Sequence, residues 1–174
     1  REVVLMAFNP QRGLLERPTA AMRDKARAAL AQVGLAGREE ENYLHLSEGQ
    51  KQLCILARTL AAGGQLLLLD EPESALDFRY RYRMLELLRS WVRQARRAAL
   101  VTLHHPALAL NCCDRLVVLA QGRAQAVLAP AADPLEEMER QLAAGDGAVG
   151  LCRCRDRAGR AQLVMLKEPE KDTR

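Results

Sequence analysis

The chain of 174 residues is poor in aromatic side chains: two Phe, three Tyr and one Trp, 3 % in all. So few ring faces leave little material for stacking bases, which argues against a single-strand nucleic-acid platform. Its net charge of +4, from 26 basic against 22 acidic residues, is a mild excess. The Arg-rich stretches at 79–83, 93–97 and 153–160 therefore read as solvated faces rather than a nucleic-acid footprint, and no nucleic-acid partner is expected. The same basic excess would suit a position near an anionic membrane surface. Apolar runs are short. None approaches the roughly 20 residues that cross a bilayer, and the all-leucine stretch Leu66–Leu69 counts four. No secretory signal is visible in the opening Arg1-Glu2-Val3-Val4. The five cysteines, Cys54, Cys112, Cys113, Cys152 and Cys154, are odd in number. With no export signal beside them they point to reduced thiols in a cytoplasmic protein. Cys152-x-Cys154 does not have zinc spacing, and no second close pair completes it, so no metal site is expected there.

What is present is an alternation of helices and short strands. Met22, Ala26, Ala29, Leu30 and Val33 recur at helical spacing over Thr19–Val33, with Pro18-Thr19 as start signal and Gly34 as C-terminal cap. Ser47-Glu48-Gly49-Gln50 has the S-x-x-Q pattern of a capping box and opens a second helix. Leu53, Leu56, Ala57 and Leu60 form its buried stripe, with Cys54 on the same apolar side, and Gly63-Gly64 stops it. Leu66–Leu69 is too short for a helix and is expected to be a strand buried on both faces of a parallel sheet. A long helix follows, with Tyr80, Met84, Leu87, Leu88 and Trp91 on one side; Ala99–Leu103 is then a second buried strand. Pro106 starts a short helix, and Leu116–Ala120, Gln121-Gly122 and Arg123–Leu128 read as a hairpin. Beyond Pro130 the pattern weakens to a helix at Glu136–Ala143 and a small edge strand at Gln162–Leu166. The fold class is α/β.

Both buried strands end on reactive side chains: the first on Asp70-Glu71, the second on His104. In open parallel sheets ligands bind outside the carboxyl ends of strands, so these three residues are expected to converge. One carboxylate there can hold Mg²⁺, often through water. A second can orient and deprotonate a water for attack on phosphorus, and a histidine can hydrogen-bond a phosphate.

Four stretches in fixed order make this chemistry specific. Leu46-Ser47-Glu48-Gly49-Gln50-Lys51-Gln52 resembles the signature motif of ABC ATPases. Leu66–Asp70 with Glu71-Pro72 resembles their Walker B strand and catalytic glutamate. Ser74-Ala75-Leu76-Asp77 resembles the D-loop, and Val101-Thr102-Leu103-His104 the switch histidine. The resemblance covers Leu46 to His104 and extends in character to about Leu128. Arg1–Met6 is also similar to the segment after the Q-loop in importer ATPases. The fold it implies is part of a RecA-like P-loop NTPase sheet with the ABC helical subdomain. Residues 1–62 would be the helical part, 63–130 the second half of the ATPase core, and 131–174 a tail or small accessory segment.

The family also implies roles. Asp70 would serve Mg²⁺, Glu71 the hydrolytic water and His104 the γ-phosphate of ATP. Ser47, Gly49 and Gln50 would meet the γ-phosphate held by the opposite subunit of a head-to-tail dimer, and Asp77 would link the two sites. The implied partners are a second ATPase subunit, membrane permease subunits and a substrate-binding protein, with the ATPase on the inner face of the membrane. Three positions depart from the pattern. Glu48 stands where the signature has a second glycine, Glu73 where threonine is common, and His105-Pro106 where many members have aspartate. His-Pro at this point is similar to importers of metal chelates and oxyanions.

The largest absence is G-x-x-x-x-G-K-[ST], found nowhere in the 174 residues. That loop's backbone N–H groups and lysine supply most of the grip on the phosphates. By itself this sequence is therefore expected to bind ATP poorly and to hydrolyse none. Two other classes fit the sequence less well. Repair ATPases of the same family insert a long coiled coil before the signature, whereas Thr19–Val33 is all that stands there. Translation ATPases carry tandem halves and basic linkers, which are also missing. A regulatory module that had lost catalysis would not be expected to keep both Glu71 and His104.

Overall fold

The computed structural model describes residues 1–11, 16–94, 96–143 and 149–167. They form two units, Arg1–His104 and His105–Arg174.

The first unit begins with a single helical turn, α1 (Glu2–Leu5), which runs into a 3-10 turn over Met6–Gln11. Helix α2 (Ala20–Gln32) starts where the sequence places it: Thr19 caps it by accepting from the Met22 N–H at 3.2 Å. Gly34 closes it with φ +81. That left-handed backbone favours glycine, and a Cβ there would also displace the Arg83 guanidinium, 2.5 Å away. A 3-10 turn at Tyr43–His45 leads to α3 (Glu48–Ala61), and the predicted capping box is complete. Ser47 Oγ accepts from the Gln50 N–H at 3.3 Å, and Gln50 Oε1 accepts from the Ser47 N–H at 3.0 Å.

The inner faces of these helices form one core. Val4, Leu30 and Val33 are buried with Leu53, Leu56 and Ala57 of α3, and Leu60 is half-buried at the end of the stripe. Burial of a leucine or valine side chain of this kind contributes about 1.5–3 kcal/mol. Cys54 is part of this core, as expected, and burial pushes its thiol pKa up. At neutral pH it stays protonated and packs as a small apolar group.

Strands β1 (Leu66–Leu69) and β2 (Ala98–Val101) pair in parallel, Leu66 opposite Ala98 through Leu69 opposite Val101. Helix α4 (Phe78–Arg93) makes the crossover. Asp77 caps it, its Oδ1 accepting from the Tyr80 N–H at 3.0 Å. Its buried side is Met84, Leu85, Leu88 and Trp91, and Arg97 lies over the Trp91 ring at 4.6 Å. Leu85 joins this side, Leu87 is half-buried, and Tyr80, in the first turn of the helix, is exposed.

Two strand expectations need correction. The all-leucine strand is not buried on both faces. Leu67 is buried at 3 % exposure, but Leu66, Leu68 and the facing Leu100 are exposed at 58, 68 and 61 %. Helix α4 packs against the two-stranded pair from one side, so the side chains alternate in and out with the pleat. The second strand also stops at Val101 rather than Leu103, because β1 ends at Leu69 and offers no further ladder positions. One further bond, Thr102 N–H to the Leu69 carbonyl at 3.0 Å, finishes the pair.

The second unit starts with α5 (Pro106–Cys112), followed by the expected hairpin β3 (Leu116–Ala120) and β4 (Arg123–Leu128). Its two-residue turn has φ +50 at Gln121 and +73 at Gly122, the primed geometry that matches strand twist. Helix α6 (Leu135–Ala143) is followed by the antiparallel pair β5 (Val149–Arg155) and β6 (Ala161–Lys167). The edge strand expected at Gln162–Leu166 is therefore half of a hairpin. Leu110, Leu128, Met138, Leu151 and Leu163 form its core.

Two side chains stand in for backbone partners here. Asp156 closes the β5–β6 turn by accepting from the N–H groups of Ala158 and Arg160 at 2.8 and 2.9 Å. The Arg160 N–H above all holds its carboxyl below the usual range. Asn111 ties α5 to the edge of β6. It donates to the Leu163 carbonyl at 2.8 Å and accepts from the Leu163 N–H at 2.7 Å, as a neighbouring strand would. Asn111→Ala orphans both Leu163 groups. It is expected to lower the stability of this unit by about 1–3 kcal/mol, read as a shifted urea midpoint; an unchanged midpoint would mean that water replaces the asparagine at no cost.

Candidate functional site

The parallel register of β1 and β2 decides the geometry. With Leu69 opposite Val101, the next residues out are Asp70 on one strand and Thr102 on the other, and they meet. The Thr102 hydroxyl donates to Asp70 Oδ1 at 2.6 Å and accepts from the Glu71 N–H at 2.9 Å. One hydroxyl thus uses both its functions to hold the two acidic residues.

Glu71 has φ +44, the left-handed region that side chains other than glycine's rarely adopt. Holding it there costs on the order of 1–3 kcal/mol. Thr102 fixes the Glu71 N–H from one side, and the loop turns back so that the Ser74 N–H reaches the Glu71 carbonyl at 3.1 Å. The left-handed turn sends the Glu71 side chain across to β2's end, where Oε1 lies 2.5 Å from His104 Nε2. Both side chains are open to solvent, 45 % for Glu71 and 68 % for His104. Asp70, Glu71 and His104 are brought together as the strand ends lead one to expect.

Two contributors were not anticipated from sequence. Thr102 is one; counting one step past the Leu69–Val101 pair would have found it. Glu73 is the other. It is buried at 1 % exposure, and its Oε1 accepts from the His104 N–H at 3.2 Å. Its departure from the common threonine was visible, but not its burial.

The remaining expected residues lie at helix starts. Ser47, Gly49 and Gln50 form the α3 N-terminus, where free N–H groups and the helix dipole favour an anion. Ser47 and Gln50 spend their side chains on the capping box. Glu48 turns outward and pairs with Lys51 Nζ at 2.6 Å, a surface pair of small energetic weight. Gly49 lies against the loop before α4, since a Cβ on it would sit 3.4 Å from Leu76 Cδ2 and 3.7 Å from the Ala75 carbonyl. Asp77 caps α4. Among the described residues, no hydrogen bond or ion pair joins Ser47, Gly49, Gln50 or Asp77 to Asp70, Glu71 or His104.

A cluster of three His, Cys, Asp or Glu side chains that could cage a metal is absent among the described residues. Asp70 is exposed and, among the described residues, carries one hydrogen bond, on Oδ1. A single carboxylate with a free oxygen suits Mg²⁺, which keeps most of its waters and takes phosphate oxygens as further ligands. A cavity of about 220 Å³ opens beside Asp70, lined mainly by Leu53, Leu56, Leu68, Leu76 and Met84.

With this arrangement in view, the likeness to known proteins is clear. Residues 6–111 match the family model described as "AAA domain, putative AbiEii toxin, Type IV TA system". The chain is 43 % identical over 129 residues to the aliphatic sulfonates import ATP-binding protein SsuB 1 of Mesorhizobium japonicum, covering 73 % of this chain and 48 % of that protein. It is 37 % identical over 131 residues to the cobalamin import ATP-binding protein BtuD of Halobacterium salinarum, covering 75 % and 32 %. The chain thus spans a third to a half of these relatives' length. Among solved structures, that of a putative metal-chelate type ABC transporter in an inward-facing conformation superposes with a TM-score of 0.79. It has 22 % identity and covers 95 % of this chain and 65 % of that one. The ATP-binding cassette MJ0796, in its dimer bound to ADP and Pi, superposes with a TM-score of 0.64 at 25 % identity, covering 74 % and 54 %. The chain belongs to the family of that AAA-domain model and, with these relatives, to the ATP-binding subunits of ABC transporters; its 174 residues hold no G-x-x-x-x-G-K-[ST] loop.

Proposed function

We propose that this chain works as part of an ATP-hydrolysing cassette that couples ATP turnover to import across a membrane. The observation that carries this reading is the meeting of Asp70, Glu71 and His104 at two parallel strand ends, locked by Thr102. Glu71 accepts the proton of the water that attacks the γ-phosphate, and its unusual backbone aims it there. His104, in hydrogen-bond reach of Glu71, holds that carboxylate in line and turns its ring to the phosphate. Asp70, through its free oxygen, would hold Mg²⁺, which with ATP would neutralise charge developing on the phosphates. The α3 N-terminus, with Ser47, Gly49 and Gln50, serves the nucleotide of a second subunit, and Asp77 stands at the interface between the two. Glu48 does not obstruct this role, because its carboxylate is engaged by Lys51.

Residues 1–62 act as the helical part, 63–130 as the second half of the ATPase core and 131–174 as an accessory segment; residues 168–174 lie outside those described. The exposed Leu66, Leu68 and Leu100 support this reading, being a sheet face to be covered by the rest of a cassette. No helix among the described residues is long and apolar enough to cross a membrane. The cassette would sit on the cytoplasmic side against permease subunits, with a substrate-binding protein completing the system.

In the complete cassette, one with a phosphate-binding loop joined ahead of Arg1, Glu71→Gln is expected to lower ATP turnover by at least about 10²-fold, the low end of general-base contributions. ATP-dependent dimerisation should persist, seen by size-exclusion chromatography with and without ATP. Unchanged turnover would remove Glu71 from its role. For the 174-residue chain alone, calorimetry at micromolar concentrations should give no saturable MgATP isotherm; a clear one would reveal a nucleotide site independent of the missing loop.

A further inference from the structure

Glu73 is the one buried acidic side chain among the described residues, and its position is unusual for a carboxylate. Burial strips its water, yet only one of its two oxygens finds a partner. Oε1 takes the His104 N–H at 3.2 Å, while Oε2 is buried and unpaired among the described residues. Burying a carboxylate this way works against stability, and an apolar residue of similar size would fill the space better. What it accomplishes locally is specific. Beyond Val101 the β ladder has ended, so the His104 backbone has no strand partner. The bond from Glu73 replaces one. It joins the β1–α4 loop to the end of β2 three residues past the last ladder pair, directly behind the imidazole that meets Glu71.

We propose that Glu73 is a positioning residue. Through the His104 backbone it sets where the imidazole stands, and so holds the Glu71–His104 pair in register across the two strand ends. The role rests on the ATPase reading for its consequence, but not for the tether itself, so the two can fail separately.

The tether is tested in this chain by hydrogen exchange at the His104 amide, followed by NMR. Glu73→Ala and Glu73→Asp, the latter keeping the charge but drawing it back by one methylene, are expected to speed exchange at His104 about tenfold, with Leu67 and Leu100 unchanged. Glu73→Gln keeps an acceptor at the same reach and should protect His104 nearly as well as glutamate. If Glu73→Ala does not fold, the Asp and Gln variants decide the matter. Equal protection in all variants, or loss in Gln with retention in Asp, overturns the proposal. The consequence is tested in the complete cassette. Glu73→Asp should lower kcat with KM for ATP unchanged, Glu73→Gln should restore it, and the loss should vanish in a His104→Ala background. A KM effect, or an equal loss with and without His104, overturns the positioning role. If the complete cassette turns over no ATP while His104 exchange responds as stated, the ATPase reading fails and the tether stands.

Discussion

The parallel pairing of Leu66–Leu69 with Ala98–Val101 is the constraint on which the rest depends. It is four residues long on each strand, yet it sets which side chains face each other where the ladder stops. A slip of one position would put Thr102 beyond reach of Asp70 and leave the Glu71 N–H unheld. A side chain at that register point then does what ladder bonds can no longer do. Thr102 holds Asp70 and Glu71, and Glu73 reaches back to the His104 backbone. The strained φ of Glu71 is stable because neighbours on both sides fix it. Strain of this kind is kept only where surrounding structure over-determines it.

Local chemistry made much of this legible. The capping box at Ser47–Gln50, the Thr19 cap, the Gly34 stop and the Gln121-Gly122 turn each depend on residues within a few positions, and each is found as read. The meeting of Asp70, Glu71 and His104 followed from a rule about strand ends, and needed only two strands and their direction. What escaped was set by contacts more than 30 residues apart. Thr102 was an ordinary residue in sequence and Glu73 an unexplained departure; register and burial gave them partners at separations of 32 and 31. The leucine strand misled for a related reason. An unbroken apolar run is the signature of a doubly covered sheet, but which faces are covered depends on neighbours that four leucines do not specify.

The second unit shows the same logic without any chemistry attached. Its core of Leu110, Leu128, Met138, Leu151 and Leu163 draws one residue from each of five elements, so no single segment announces it. Asn111 and Asp156 substitute for strand neighbours at an edge and at a turn, where polar side chains most often replace missing backbone partners.

The central claim is that the ends of β1 and β2 form the γ-phosphate side of a nucleotide site. A structure of the complete cassette with saturating ATP and Mg²⁺, hydrolysis being blocked by Glu71→Gln, tests it most directly. The account predicts the γ-phosphate within hydrogen-bond reach of His104, Mg²⁺ beside Asp70, and the α3 N-terminus of a second subunit facing the same phosphate. A nucleotide bound elsewhere, with Asp70 and His104 untouched, would contradict it.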